Sequence, residues 1–302
     1  MSDLQATFWG VRGGYPVPGQ STLDFGGNTT CLEVNAGPHL IIIDAGTGII
    51  GLGKALAARR ERDGEPVVAT MLFTHGHHDH TQGLPFFAPL WYPDSSLDVF
   101  GLRVFGEDLV DMLKRSMLPP THPIAKRGMP GVRGIENVQD DQVLIFTERG
   151  ECPQVVNSAQ AKEWPDPDAA KVWVYHSSSH PKGGSLSYMV EYHGKRIVFA
   201  TDTEGYIGSD TLLGRFVEGV DVLIHDAEYT DREYIGPPTR QGWGHSTWKM
   251  AVRVGKRAGV KKLVLTHHNA KHDDAFLTEL EQTIQEQFPN VMIAREGMIL
   301  SL

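Results

Sequence analysis

Four histidines and an aspartate crowd into six consecutive residues, His75-Gly76-His77-His78-Asp79-His80. The preceding run, Val67 to His75, reads as a strand, so His75 and His77 stand two apart at its end and project to one side. Asp79 and His80 come next, where the chain turns toward a short helix expected around Leu84 to Phe87. Two donors from a strand end and two from a turn point in two directions, which suits two adjacent metal ions better than one. A solitary histidine is by default a satisfied core residue, but this density points to metal chemistry. A strand with polar ligands at its end places them at the rim of a sheet.

The pattern around this cluster occurs twice, weakly. TTCLEVNAGPHLIIIDAGTG, from Thr29 to Gly48, reads as a strand, a Gly-Pro turn and an apolar strand ending in Asp44. SLSYMVEYHGKRIVFATDTEG, from Ser185 to Gly205, reads as a strand, a His-Gly turn and an apolar strand ending in Asp202. After an intervening segment each hairpin is followed by a strand ending in Thr-His, in MLFTHGHHDH and in LVLTHHNAKHDD. Two such halves facing each other make an α/β sandwich with one shared site. Helices are expected over Ile49 to Arg60, Glu107 to Met117, Ser246 to Ala258 and Asp274 to Phe288, from apolar residues at helical spacing. Ser246 and Asp274 are the expected N-caps, and Gly259 is the expected stop after Ala258.

Composition narrows the function classes. With 40% hydrophobic and 22% charged residues among 302 and no periodic glycine, collagen-like and disordered readings are excluded. A net charge of -9 removes the broad positive field of a protein that grips long nucleic acid. Cys31 and Cys152 are too few for a disulfide framework and are expected as core thiols in a reducing compartment. MSDLQATFWG carries no basic region ahead of an apolar core, and no apolar run approaches the ~18 residues that span a bilayer. A soluble, cytoplasmic protein without membrane contact is expected, forming a single domain over 1-302.

An insertion is expected at about 101-134. It holds six Lys/Arg against three acidic residues in an otherwise acidic chain. Its Pro- and Gly-rich loop LPPTHPIAKRGMPG reads either as a solvated insertion or as a lid bringing Lys126 or Arg127 to a phosphate.

The motif His75-Gly-His77-His78-Asp79-His80 resembles the HxHxDH signature of metallo-β-lactamase fold hydrolases. Its flanks resemble the ribonuclease Z and cyclic-nucleotide phosphodiesterase branch: FWGVRGGYPVPG, GGNTTC, HPKGG, FATDTEG, HDAEYTDREY, GWGHST and LTHHN. The resemblance implies a four-layer αββα sandwich of two pseudo-duplicated halves with metals at the sheet edge. It implies His180 as the third histidine of a first metal with His75 and His77, Asp202 as a carboxylate bridging both ions, and His267 as completing a second metal with Asp79 and His80. Spacing alone does not separate His267 from His268. Asp44 is either an acceptor that fixes the tautomer of a ligand imidazole or a turn residue ahead of Gly46. All-N/O ligation suits two divalent ions, Zn first, with Mn or Fe as alternatives.

Two such metals can hold a bridging hydroxide and stabilise charge on phosphorus. The resemblance gives His245 as the general acid for the leaving oxygen, Asp226 as its carboxylate partner, and catalytic work to Asp79, His245 and Asp226. Asn28 reads as a turn residue tolerating left-handed backbone, and His225 as satisfying a backbone group. Ribonuclease Z enzymes grip tRNA with an arm that many carry between the positions of His180 and Asp202. Here twenty-one residues lie between them, and the hairpin fills them. The expected partner is therefore a small anionic phosphodiester, with cyclic nucleotides favoured and no long nucleic acid. An RNA-processing endonuclease, a lactonase or other ester hydrolase, and a non-catalytic metal-stabilised binding protein are the alternatives. The resemblance also implies a homodimer.

Overall fold

The computed structural model describes residues 3–103, 108–117, 128–181, 183–205 and 211–302. Strand β1, Leu4–Gly10, alternates buried and half-buried residues, as a strand with one wetter face must. The next strands are more continuously apolar: β2 (Cys31–Ala36), β3 (His39–Ile43), β4 (Val68–Phe73) and β5 (Ser96–Leu102). They are covered on both faces, which is why alternation is lost. β6 (Val132–Val138) forms an edge, and of its residues only Val138 is buried.

The second sheet is built from β7 (Gln142–Phe146), β8 (Gln154–Asn157), β9 (Ala170–Ser177), β10 (Ser185–Tyr192), β11 (Lys195–Ala200), β12 (Val222–Asp226), β13 (Lys262–Thr266) and β14 (Val291–Ile293). The chain then returns to the first sheet as β15 (Ile299–Ser301) beside β1. The spatial orders are β15-β1-β2-β3-β4-β5-β6 and β14-β13-β12-β11-β10-β9-β7-β8.

The two-half reading of the sequence is visible in this register. β2 and β3 form an antiparallel hairpin continued by parallel β4 and β5. β10 and β11 form a second hairpin continued by parallel β12 and β13. The halves differ in one respect. β4, which leads to His75, lies directly against its hairpin, whereas β12 separates β11 from β13, which leads to His267.

Leu32, Val34, Leu72 and Phe100 of the first sheet share one buried cluster with Tyr188, Val190, Phe199 and Ile224 of the second. Helices close the outer faces. α1 (Gly48–Asp63) lays Ile49, Leu52 and Leu56 on the first sheet, and the short α2 (His78–Thr81) sits at its rim. α3 (Leu109–Met117) adds Leu109 and Leu113 to that layer. α4 (Ser158–Lys162) places Ala161 beside Val143 and Ile145 of β7. α5 (Thr211–Phe216), α6 (Asp231–Ile235), α7 (Trp248–Ala258) and α8 (Asp274–Gln285) follow in the second half, with α5, α7 and α8 contributing to the second outer core. This is the αββα sandwich.

Local expectations need four corrections. The N-cap of α7 is Thr247, not Ser246, whose hydroxyl instead donates to the Thr203 carbonyl at 2.6 Å. The N-cap of α8 is Asp273, not Asp274, whose carboxylate accepts from the Asp24 and Phe25 amides. In both cases two adjacent residues are chemically fit to cap, and tertiary contacts decide. Asn28 is not the left-handed residue: Gly26 is, at φ 101°, while the Asn28 side chain donates to Glu296 at 2.9 Å. Cys31 is a core thiol, but Cys152 is exposed in the loop after β7. Gly259 ends α7 at φ 63° as expected. Residues 101–134 supply the end of β5, helix α3 and the start of β6. Lys126 and Arg127 lie outside the described residues. Among those described, no helix is long and apolar enough to cross a membrane.

One buried cation ties the segments behind the site. Arg12 is fully buried, and its guanidinium donates to the carbonyls of Gly26 at 2.7 Å, His272 at 2.5 Å and Asn269 at 3.4 Å. Beside it the backbone of Val11 and Gly13 pairs with His268 in both directions. Arg12→Met removes these donors and strands the carbonyls, so it is expected to lower stability by about 2–4 kcal/mol. A urea midpoint unchanged from wild type counts against this staple.

Candidate metal centre

The chain leaves three strands at one rim, and each time the next turn carries a polar side chain inward. Asp44 follows β3, Asp202 follows β11 by two residues, and His267 follows β13 directly. All three hold left-handed backbone, at φ 61°, 53° and 60°. Such conformations are costly for residues with a Cβ and gather at functional sites. His75 and His77 follow β4, Asp79 and His80 occupy α2, His180 sits between β9 and β10, and His245 precedes α7.

These residues assemble into donor sets able to bind metal. His75, His77, His180 and Asp202 bring one donor atom each to within 4.8 Å of the others, and Asp79, His80 and His267 do the same. In the first set His180 Nε2 lies 3.2 Å from His77 Nδ1, and His75 Nε2 lies 3.6 Å from Asp202 Oδ1. In the second, His80 Nε2 lies 3.3 Å from His267 Nε2, 3.3 Å from Asp79 Oδ2 and 3.2 Å from Asp202 Oδ2. One oxygen of Asp202 thus faces each set. His78 is exposed and joins neither set. His268 is buried elsewhere, its Nε2 on the Ala294 carbonyl at 2.9 Å, and of the pair it is His267 whose nitrogen lies among the donor atoms.

The contacts of the outward nitrogens set which nitrogen faces inward. His80 Nδ1 donates to Asp44 Oδ2 at 2.8 Å. Thr74 donates its amide and its hydroxyl to the same carboxylate at 2.8 and 2.9 Å, which leaves the hydroxyl oxygen to accept from His75 Nδ1 at 3.1 Å. His180 Nδ1 reaches the Gly244 carbonyl at 3.3 Å, and His267 Nδ1 lies 3.2 Å from Glu228. With its outer nitrogen protonated, a neutral imidazole presents an acceptor at the other. Among the described residues, His75 Nε2 and His267 Nδ1 are buried with no hydrogen-bond partner. Imidazole nitrogens and carboxylates converge on the same space, and a bound cation is the chemistry that satisfies them together. Asp44 therefore acts as the tautomer-fixing acceptor, directly for His80 and through Thr74 for His75.

The electrostatics separate the two sets, the second favouring protonated imidazoles and the first neutral ones. Burial pulls the pKa of His80 down, but Asp202, Asp79 and Asp44 hold it well above the usual value. His267 behaves likewise, burial being outweighed by Asp202, Asp79 and Glu228. Burial favours the neutral acids Asp79 and Asp202, yet the imidazoles around them keep both carboxylates ionised. His75, His77 and His180 go the other way, burial holding them neutral.

At the mouth, His245 Nδ1 donates to Asp226 Oδ2 at 2.8 Å, and its ring stacks on His267 at 5.0 Å between centroids. Burial lowers its pKa, but Glu228 and Asp226 raise it to about 9. Asp226 is fixed in turn by the amides of Ser246, Glu228 and Asp202. His225 sends Nδ1 to the Asp226 carbonyl at 2.7 Å, satisfying a backbone group as expected. Two contributors carried no usable sequence signal. Glu228 lies 3.3 Å from His245 Nδ1 as well as against His267. Gly13 lies so close to the His267 ring that a Cβ there would come within 2.4 Å, and the next amide, Gly14, donates to Asp79 Oδ2 at 2.8 Å.

The Beta-lactamase superfamily domain matches residues 39–268. The chain belongs to that family. It is similar to ribonuclease Z of Gemmatimonas aurantiaca, 38% identical over 109 residues, a match spanning 36% of this chain and only 32% of that relative. Ribonuclease Z of Methanopyrus kandleri is 26% identical over 278 residues, 87% of this chain and 90% of the relative. Among solved structures, the metallo-beta-lactamase fold protein YhfI of Bacillus subtilis superposes with a TM-score of 0.65 at 18% identity, over 99% of both chains.

Because Asp44 serves an imidazole in each donor set, Asp44→Ala is expected to weaken metal affinity about 10–100-fold. Competition with a graded series of chelators measures this, and wild-type retention would contradict it.

Proposed function

We propose that this protein is a metal-dependent phosphodiesterase of small substrates, with cyclic nucleotides the favoured class. The observation that carries the reading is the His245–Asp226 pair at 2.8 Å beside both donor sets. The alkoxide that departs from a phosphodiester needs a proton, and this pair can supply it. Asp226 occupies Nδ1 and orients the ring, leaving Nε2 as the proton donor on the open side. Such a general acid contributes about 10²–10⁴-fold in rate.

His75, His77, His180 and Asp202 would hold one divalent ion, and Asp79, His80, His267 and Asp202 the other. Nitrogen and oxygen donors without thiolate fit Zn, and they also fit Mn or Fe. When bound, such a pair supplies an acidified water and Lewis-acid stabilisation of phosphoryl charge. The chain's own part is to orient those donors through Asp44, Thr74 and Gly244 and to deliver a proton from His245.

Substrate size is supported by the segment between His180 and Asp202, which the hairpin β10–β11 occupies with a two-residue turn at His193 and Gly194. A flat substituent is supported by Trp243, 52% exposed and two residues before His245, with the Arg240 guanidinium 5.7 Å from its ring. The second reading, an RNA endonuclease, is favoured by the ribonuclease Z relatives.

The test is a panel of 3',5'- and 2',3'-cyclic nucleotides, a chromogenic diester, a lactone and pre-tRNA at fixed ionic strength, with metal content measured on the same sample. Turnover confined to the small diesters is expected; turnover confined to the lactone or to pre-tRNA overturns the reading. His245→Ala should keep both metals and lose turnover, whereas Asp202→Ala should lose metal. Trp243→Ala should raise KM for a cyclic nucleotide about tenfold, the scale of one base–aromatic stack, and an unchanged KM would remove Trp243 from the substrate site.

A further inference from the structure

His180 and His245 come from separate loops, and a single carboxylate underlies both. We infer that Glu204 is a positioning residue that sets the places of His180 and His245 together. It touches neither ring, and it acts through Gly244.

Glu204 is fully buried, two residues after Asp202. A carboxyl group so placed requires hydrogen-bond partners to replace water. Among the described residues it has three, all from the segment leading to His245. Oε1 accepts from the Tyr234 hydroxyl at 2.5 Å and the Gly242 amide at 2.8 Å, and Oε2 accepts from the Gly244 amide at 2.9 Å. Its own amide donates to Ser179 Oγ at 3.0 Å, one residue before His180. The 177–180 loop and the 234–245 segment are therefore stitched to the same point on the chain.

Gly244 passes this constraint on in two directions. Its carbonyl takes His180 Nδ1 at 3.3 Å, which turns Nε2 inward, and its peptide bond leads directly into His245. Its φ is +89°, and a Cβ there would lie 2.2 Å from His180 Nδ1, so glycine is the residue that permits this approach. Glu204 anchors the amide of that glycine. A neutral amide in place of the carboxylate keeps one accepting oxygen and sets an NH2 group against the remaining N–H or O–H donors. Glu204→Gln should therefore let Gly244 lift from His180 and carry His245 with it.

This inference rests on the two-cation reading of the centre. Wild-type protein titrated with Zn should take up two tight equivalents. Glu204→Gln should keep one, held by Asp79, His80 and His267, and bind the other about 10–100-fold more weakly. Its kcat on the chromogenic diester should fall more than tenfold with KM within about twofold, because His245 moves while the second donor set stays in place. Tyr234→Phe, which leaves two of the three donors, should show smaller changes in the same direction. Nitrogen-15 spectra of the metal-free imidazoles provide a readout independent of metal and turnover: the His180 and His245 signals should shift in Glu204→Gln, with His268 unmoved. Wild type that binds fewer than two equivalents sinks the two-cation reading, and shifted His180 and His245 signals still support the clamp. Unmoved signals, or two equivalents held as tightly as in wild type, overturn it.

Discussion

The structure depends on imidazole nitrogens and carboxylates forced to face one another. Imidazole nitrogens from the ends of β4 and β13, from α2 and from the β9–β10 loop meet two carboxylates at a shared rim, and those of His75, His80 and His180 are turned inward because the other nitrogen is held from behind. Nothing in an apolar sandwich favours that arrangement for its own sake. Its cost is distributed over Asp44, Thr74, Gly244 and Glu228, and over three residues held in left-handed backbone.

The sandwich makes this possible by ending several parallel strands at one edge. A parallel strand delivers its C-terminal residues to the same side as its neighbours, so β3, β4, β11, β12 and β13 send Asp44, His75, Asp202, Asp226 and His267 toward one place. The outer helices take up the opposite faces and return the chain. What distinguishes the two halves is then the detail of the loops: the first half supplies a dense run on α2, the second supplies scattered single residues.

That asymmetry explains how much of the protein was legible in its sequence. The His75–His80 run announces itself by density, and the paired hairpins suggest two facing sheets. Asp202 and His267 gain support from repeating the strand-end pattern, whereas His180 is an ordinary loop histidine until the fold brings it 3.2 Å from His77. Asp44 left two readings open because a turn aspartate and an imidazole acceptor look alike in one dimension. Glu228 and Glu204 were hidden for the same reason: their roles lie in contacts with residues distant in the chain. The helix caps failed more locally, since Ser246-Thr247 and Asp273-Asp274 each offer two chemically equal choices.

One further consequence follows from the division of donors between the sheets. Asp79 and the histidines at 75, 77 and 80 belong to one half, while His180, Asp202 and His267 belong to the other. A bound ion would therefore rivet the two layers, drawing on both for its coordination and adding its binding energy to their docking. Loosening the interlayer packing far from the rim, at Phe100 or Tyr188 for instance, should then be felt first as leakage of the ion, before either sheet melts.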